Sequence, residues 1–198
     1  MSASARTFIW FTLILMFLMA IGCRSTTPQI SYYALSTAGG GQIQALNATP
    51  IQTRIGIGPI VLPAYLDRHQ MVIRTGPNQL RIDDYHLWAA PLSEEMPRIL
   101  AENIMQADRA LRVDRAPWGH RFTPDIVIGI QIFTFEAHGD GRVHLNAAVT
   151  MSDQRSEAQN SWSVDLEEQA QGRAYTDFVA AQSRILAKLG RQIAKAIP

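Results

Sequence analysis

The sequence predicts an α+β domain of two layers, an antiparallel sheet with two main helices packed on one face. Three observations carry that prediction. Asp125 to Ala137, Val143 to Ser152 and Ser161 to Leu166 each show a two-residue apolar period, with Gly139-Asp140-Gly141 and a polar loop between them. That is the period of successive strands in a meander. Ala174 to Ile197 places Phe178, Val179, Ile185, Leu186, Leu189, Ile193 and Ile197 on one side at about 100° per residue, the period of a helix. A second helical pattern starts at Leu92 and continues through Met96, Ile99, Leu100 and Ile104.

In chain order, Tyr32-Tyr33-Ala34-Leu35 is short and aromatic, a first strand. Gly39-Gly40-Gly41 breaks the chain and Pro50 closes a loop. Thr53 to Leu62 reads as a strand whose Gly56 and Gly58 leave one face flat. Pro59 cannot donate to a ladder, so an edge, a bend or a strand end is expected there. Met71 to Arg74 and Leu80 to Asp83 are two short strands joined by the turn signal Gly76-Pro77-Asn78. Tyr85 to Trp88 is expected to lead into the Leu92 helix. Pro97 falls inside that helix and is expected to kink it or delay its start, since an interior proline costs ~3 kcal/mol. In the long stretch from Asp125, Ile126, Ile128, Ile130 and Ile132 share a face, while Val127, Phe133 and Phe135 partly fill the other. A strand apolar on both sides belongs in the centre of a sheet.

Ahead of this domain stands a leader. FIWFTLILMFLMAIGC runs from Phe8 to Cys23, after the single basic residue Arg6. Its apolar run is about 14 residues, long enough for a secretory signal and short of the ~20 that cross a bilayer. Ala20-Ile21-Gly22-Cys23 resembles a bacterial lipobox, with Ala20 where leucine is usual. The resulting division is a signal peptide over 1–22, a tether over 23–30 and one domain over 31–198. Lipidation is expected at Cys23. An ordinary secretory signal or an uncleaved anchor is the competing reading. Arg24, where aspartate usually retains a lipoprotein at the inner membrane, favours export to the outer membrane.

Composition narrows the function. Of 198 residues, 47% are hydrophobic and 18% charged, with a net charge of +1. A chain so nearly neutral lacks the basic surface that general nucleic-acid binding needs. One cysteine allows no internal disulfide, so stability must come from the core.

No catalytic, metal or cofactor constellation emerges. There is no Gly-x-Ser-x-Gly elbow and no His-Glu-x-x-His pair. Gly56-Ile57-Gly58 lacks the third glycine and following helix of a dinucleotide loop. His69, His86 and His120 are scattered. His138 and His144 flank a turn, and Glu136 or Asp140 could complete a metal site; exposed hairpin polars are the simpler reading. Glu94-Glu95 and Glu167-Glu168 are sequence neighbours, which point apart, and read as helix-surface and strand-end charge. Arg184, Lys188, Arg191 and Lys195 form a basic helix stripe, a solvated face or a contact for anionic headgroups or an acidic partner.

Leu62-Pro63-Ala64-Tyr65-Leu66-Asp67-Arg68, Met71-Val72-Ile73-Arg74, Trp88-Ala89 and the helix with Leu92, Leu100, Ala101 and Asn103 form a longer pattern. With Tyr32-Tyr33-Ala34-Leu35, it resembles the PqiC-like family of ABC-type transport auxiliary lipoproteins, of paraquat-inducible membrane-integrity systems. The resemblance implies a periplasmic protein anchored in the outer membrane beside a mammalian-cell-entry (MCE) domain tunnel protein. Its role would be a non-catalytic docking subunit for lipid or hydrophobic-solute traffic. A homo-oligomer is left open. Tyr65, Leu66, Asp67 and Arg68 are the candidate partner contact. The competing reading packs Tyr65 and Leu66 in the core and pairs Asp67 and Arg68 locally. A periplasmic lipid-binding shuttle, a structural envelope lipoprotein and a hydrolase are the rival functions.

Overall fold

The computed structural model describes residues 28–37, 53–120 and 122–198, together with position 10. The expected lipidation site Cys23, the leader around it, and the Gly39–Gly41 and Pro50 loop lie outside the described residues. Eight strands and two helices follow in order: β1 (Ser31–Tyr33), β2 (Thr53–Val61), β3 (Gln70–Gly76), β4 (Gln79–Trp88), α1 (Leu92–Ala107), β5 (Leu111–Arg115), β6 (Ile126–His138), β7 (Arg142–Asp153), β8 (Gln159–Gln169) and α2 (Tyr175–Ala196).

The strands join in one sheet, and it is mixed rather than antiparallel. β6, β7 and β8 form the expected antiparallel meander. β2, however, runs parallel to both β5 and β6. β3 is also parallel to β6, and β1 is parallel to β4. The physical reason lies in the connections: α1 intervenes between β4 and β5, and a crossover of that length permits parallel neighbours. Apolar alternation is the same for either direction, so it cannot reveal this.

Both helices cover the face that carries Ile55, Ile57, Ile128, Val149 and Val164, all buried. α1 packs against β2 and β5, α2 against β6, β7 and β8, and the two helices against each other. They approach closely at Gly190, where a Cβ would stand 2.8 Å from the Cβ of Asn103. Arg184 and Lys188 of the basic stripe both grip Glu168 at the end of β8. These two charges therefore fasten α2 to the sheet, and Arg191 and Lys195 remain exposed. Glu95 is buried rather than a surface charge: its carboxylate accepts the Leu35 N–H at 2.9 Å and a bond from Arg98 at 3.2 Å.

Four further stretches take definite form. Tyr85 to Trp88 forms the end of β4 and leads, after three residues, into α1 at Leu92. Leu111–Arg115 is a strand that the pattern did not announce. Pro59 is exposed and lies past the last β5 pair, Ile57 with Arg115, so that side of β2 is an edge there, as expected, and the pairing with β6 shifts register between Ile57 and Ile60. Pro97 lies within α1 and is buried, so the helix starts before it. Gly56 faces away from the helices, with Trp118 and Pro124 2.9 and 3.0 Å from where its Cβ would be. No helix among the described residues is long and apolar enough to cross a membrane.

Candidate functional site

The site is built on β6. One edge of β6 is filled by β7 from Ile126 to Ala137. The other edge is shared end to end: β2 pairs with Ile126 to Gln131, and β3 with Ala137 and His138. Between them the connector 62–69 passes the part of β6 that has no second strand. Short bonds shape it, Leu66 N–H to Pro63 O and Arg68 N–H to Leu66 O, both 2.9 Å. His69 O then accepts the Trp88 N–H and ties the connector to β4.

Into this gap points Glu136, 1% exposed. Tyr65 donates its hydroxyl to Oε1, and Arg74 donates Nε to Oε2 and Nη2 to Oε1, the latter at 2.9 Å. Arg74 also donates Nη1 to Pro77 O at 3.0 Å. Burial alone would raise the Glu136 carboxyl, but the bonds from Arg74 and Tyr65 outweigh it and hold the group below the ordinary carboxylate range. Burial, followed by the bond to Glu136, pushes the Tyr65 phenol up to about 12. A charged pair with a third hydrogen-bonding partner is how a buried carboxylate is tolerated.

The four expected contact residues thus separate. Leu66 is buried in the core and Tyr65 is half-buried on Glu136. Asp67 is exposed and accepts the Ser93 hydroxyl at 2.8 Å, at the start of α1. A carboxylate there also suits the positive end of the helix. Asp67 is bonded to Ser93 rather than paired with Arg68. The Nε of Arg68 is buried without a hydrogen-bond partner.

Glu136 and Arg74 were not expected as partners. A sequence signal for Glu136 exists: it is the lone carboxylate in the largely apolar strand Ile126–His138. Its partner could not be read, because Arg74 lies 62 positions away. Among the described residues no three His, Cys, Asp or Glu gather as metal ligands. His144 instead bonds Asp165 at 2.9 Å.

Beside Arg74 an open depression of about 380 Å³ is lined by Thr75, Gly76, Pro77, His138 and Arg142 among others. Its charges are engaged, with Arg74 on Glu136 and Arg142 on Asp140 and Glu167.

A family model described as ABC-type transport auxiliary lipoprotein component matches residues 33–194. No curated protein matches the chain. Among solved structures, an uncharacterized protein is similar at 21% identity and a TM-score of 0.72, over 86% of this chain and 99% of that one. A DUF330 protein from Xanthomonas campestris is similar at 13% identity and a TM-score of 0.65, over 83% and 92%. At such identities the likeness is one of fold.

Proposed function

The chain belongs to the ABC-type transport auxiliary lipoprotein component family, and from that premise we propose that it is a docking subunit held at the outer membrane by acyl chains on Cys23. It would serve an MCE-type system moving lipid or hydrophobic solute between the membranes, and would do so without catalysis. The observation that carries this reading is position: the family body begins at residue 33, ten residues after the sole cysteine at the end of an apolar leader. Several acyl chains give stable attachment where one is marginal.

The chemistry of the Tyr65 cluster fits a structural role. A general acid or base works best with a pKa near the operating pH. Glu136 is held low and Tyr65 is pushed up to about 12, so both keep one protonation state near neutrality. The cluster instead fixes the connector, which presents Asp67 and the outer part of Arg68 as the partner contact.

Replacing Cys23 with serine tests the anchor and the role together. The variant should leave the outer-membrane fraction, and envelopes carrying it should lose resistance to detergent. A variant that still sediments with outer membrane, in cells with an intact barrier, sinks the proposal.

A further inference from the structure

Four exposed apolar side chains gather at one margin of the sheet. Ile30, Tyr32, Ile82 and Tyr85 are 43 to 66% exposed, and all lie on β1, on β4 or just before β1. Register puts Tyr32 beside Leu87 and Ile82 beside Val72. The residues that alternate with them, Tyr33, Asp83 and His86, turn the other way and meet Tyr175 of α2. Tyr32 and Ile82 therefore face away from the helices.

This margin is braced against the body. The Tyr33 hydroxyl bonds Nδ1 of His86 at 2.7 Å, and the His86 ring stacks on Tyr175 with centroids 3.7 Å apart. Tyr175 donates its hydroxyl to Asp83 at 2.6 Å. Ala89 N–H bonds Tyr33 O at 2.7 Å, and just beyond β1 Leu35 is buried with its N–H on Glu95. The patch is thus a rigid part of the domain.

We propose that this margin of the sheet rests on the lipid bilayer, with Tyr32 and Tyr85 in the headgroup layer and Ile30 and Ile82 beside them. The inference rests on the proposed anchor at Cys23. Chain length gives the first reason: seven residues, 24–30, separate that cysteine from β1, and at full extension they span at most about 25 Å. The acyl chains therefore hold this margin close to the membrane. Chemistry gives the second. Tyrosine combines an apolar ring with a polar tip and is enriched at membrane–water boundaries. Exposed Arg81 and Asp84 flank Ile82 and offset each other, so the patch offers no net attraction to anionic lipid and the contact is one of insertion.

The test uses the full-length protein, purified with its lipid and reconstituted in vesicles of phosphatidylethanolamine, phosphatidylglycerol and acyl-brominated phosphatidylcholine. Tyr32→Trp and Tyr85→Trp place a reporter in the patch, and Arg191→Trp places one at an exposed position on α2, in the other layer of the domain. Circular dichroism confirms that each variant folds. Quenching of the added emission should be about twofold at 32 and 85 and near zero at 191, because bromines reach only residues at the bilayer. Equal quenching at all three positions, or none, overturns the inference. So does shielding of 32 and 85 from acrylamide that arises only when the tunnel protein is added, since the face would then be a protein contact. Mass spectrometry of the N-terminal peptide separates the two readings. Absent acyl chains overturn the anchor and this orientation with it; acyl chains without quenching overturn the orientation alone.

Discussion

Replacing Arg74 with methionine keeps much of the apolar stem and removes the charge that faces Glu136. The Glu136 side chain is 1% exposed and that of Arg74 is 25% exposed. Removing one partner of a buried pair costs about 3–5 kcal/mol, because the remaining charge has no compensation. Water reaches Arg74, which places the expected loss at the lower end, about 3 kcal/mol, or roughly 6–12 °C in Tm for a domain of this size. The pH dependence sharpens the test. In the native protein the Glu136 carboxyl is held low, so its stabilisation is present above the unfolded value and is lost as pH falls through the folded one. Without Arg74, burial dominates and lifts the carboxyl above its unfolded value. The penalty is then full near neutral pH and fades as the group protonates, so the difference between variant and native protein should shrink to about half near pH 4. Urea denaturation monitored by circular dichroism at both pH values measures this. A loss under about 0.5 kcal/mol, or one of equal size at both pH values, would refute the claim that an ion pair holds this gap.

Gly190→Leu should push α1 and α2 apart, because even a Cβ would stand 2.8 Å from the Cβ of Asn103. The expected cost is about 1–3 kcal/mol by urea denaturation, and an unchanged midpoint would show that the helices have room to spare. Asp67→Lys combined with Arg68→Glu should abolish co-purification with the tunnel protein while costing about 1–2 kcal/mol of stability, since the Ser93 contact is exposed but part of the Arg68 side chain is buried. Retained co-purification by a folded variant removes the connector as the contact.

Much of the architecture was legible because it repeats. Val143, Leu145, Ala147, Val149 and Met151 alternate with polar residues, and all five are buried in β7. The apolar stripe of α2 is likewise buried at Phe178, Ile185, Leu186, Leu189 and Ile193. What escaped depends on distant parts of the chain. The direction of β2 relative to β6 is set by the connections between them, and alternation is blind to it. Five residues, Leu111–Arg115, were too few to show a period. Of the candidate site, Tyr65 and Leu66 stood out by type, yet their roles come from Glu136 and the core.

Two strands laid end to end along β6 leave spare chain at their junction. From Val61 to Ile73 the protein uses twelve residues where β6, from Gln131 to Ala137, uses six. That surplus means a residue added or removed in the outer bend can be absorbed there while both ladders keep their pairing. Within β7 the same change would turn every later side chain to the opposite face. The connector is therefore the place where relatives can differ in length and where a tag can be spliced in, provided Tyr65 and Leu66 keep their seats.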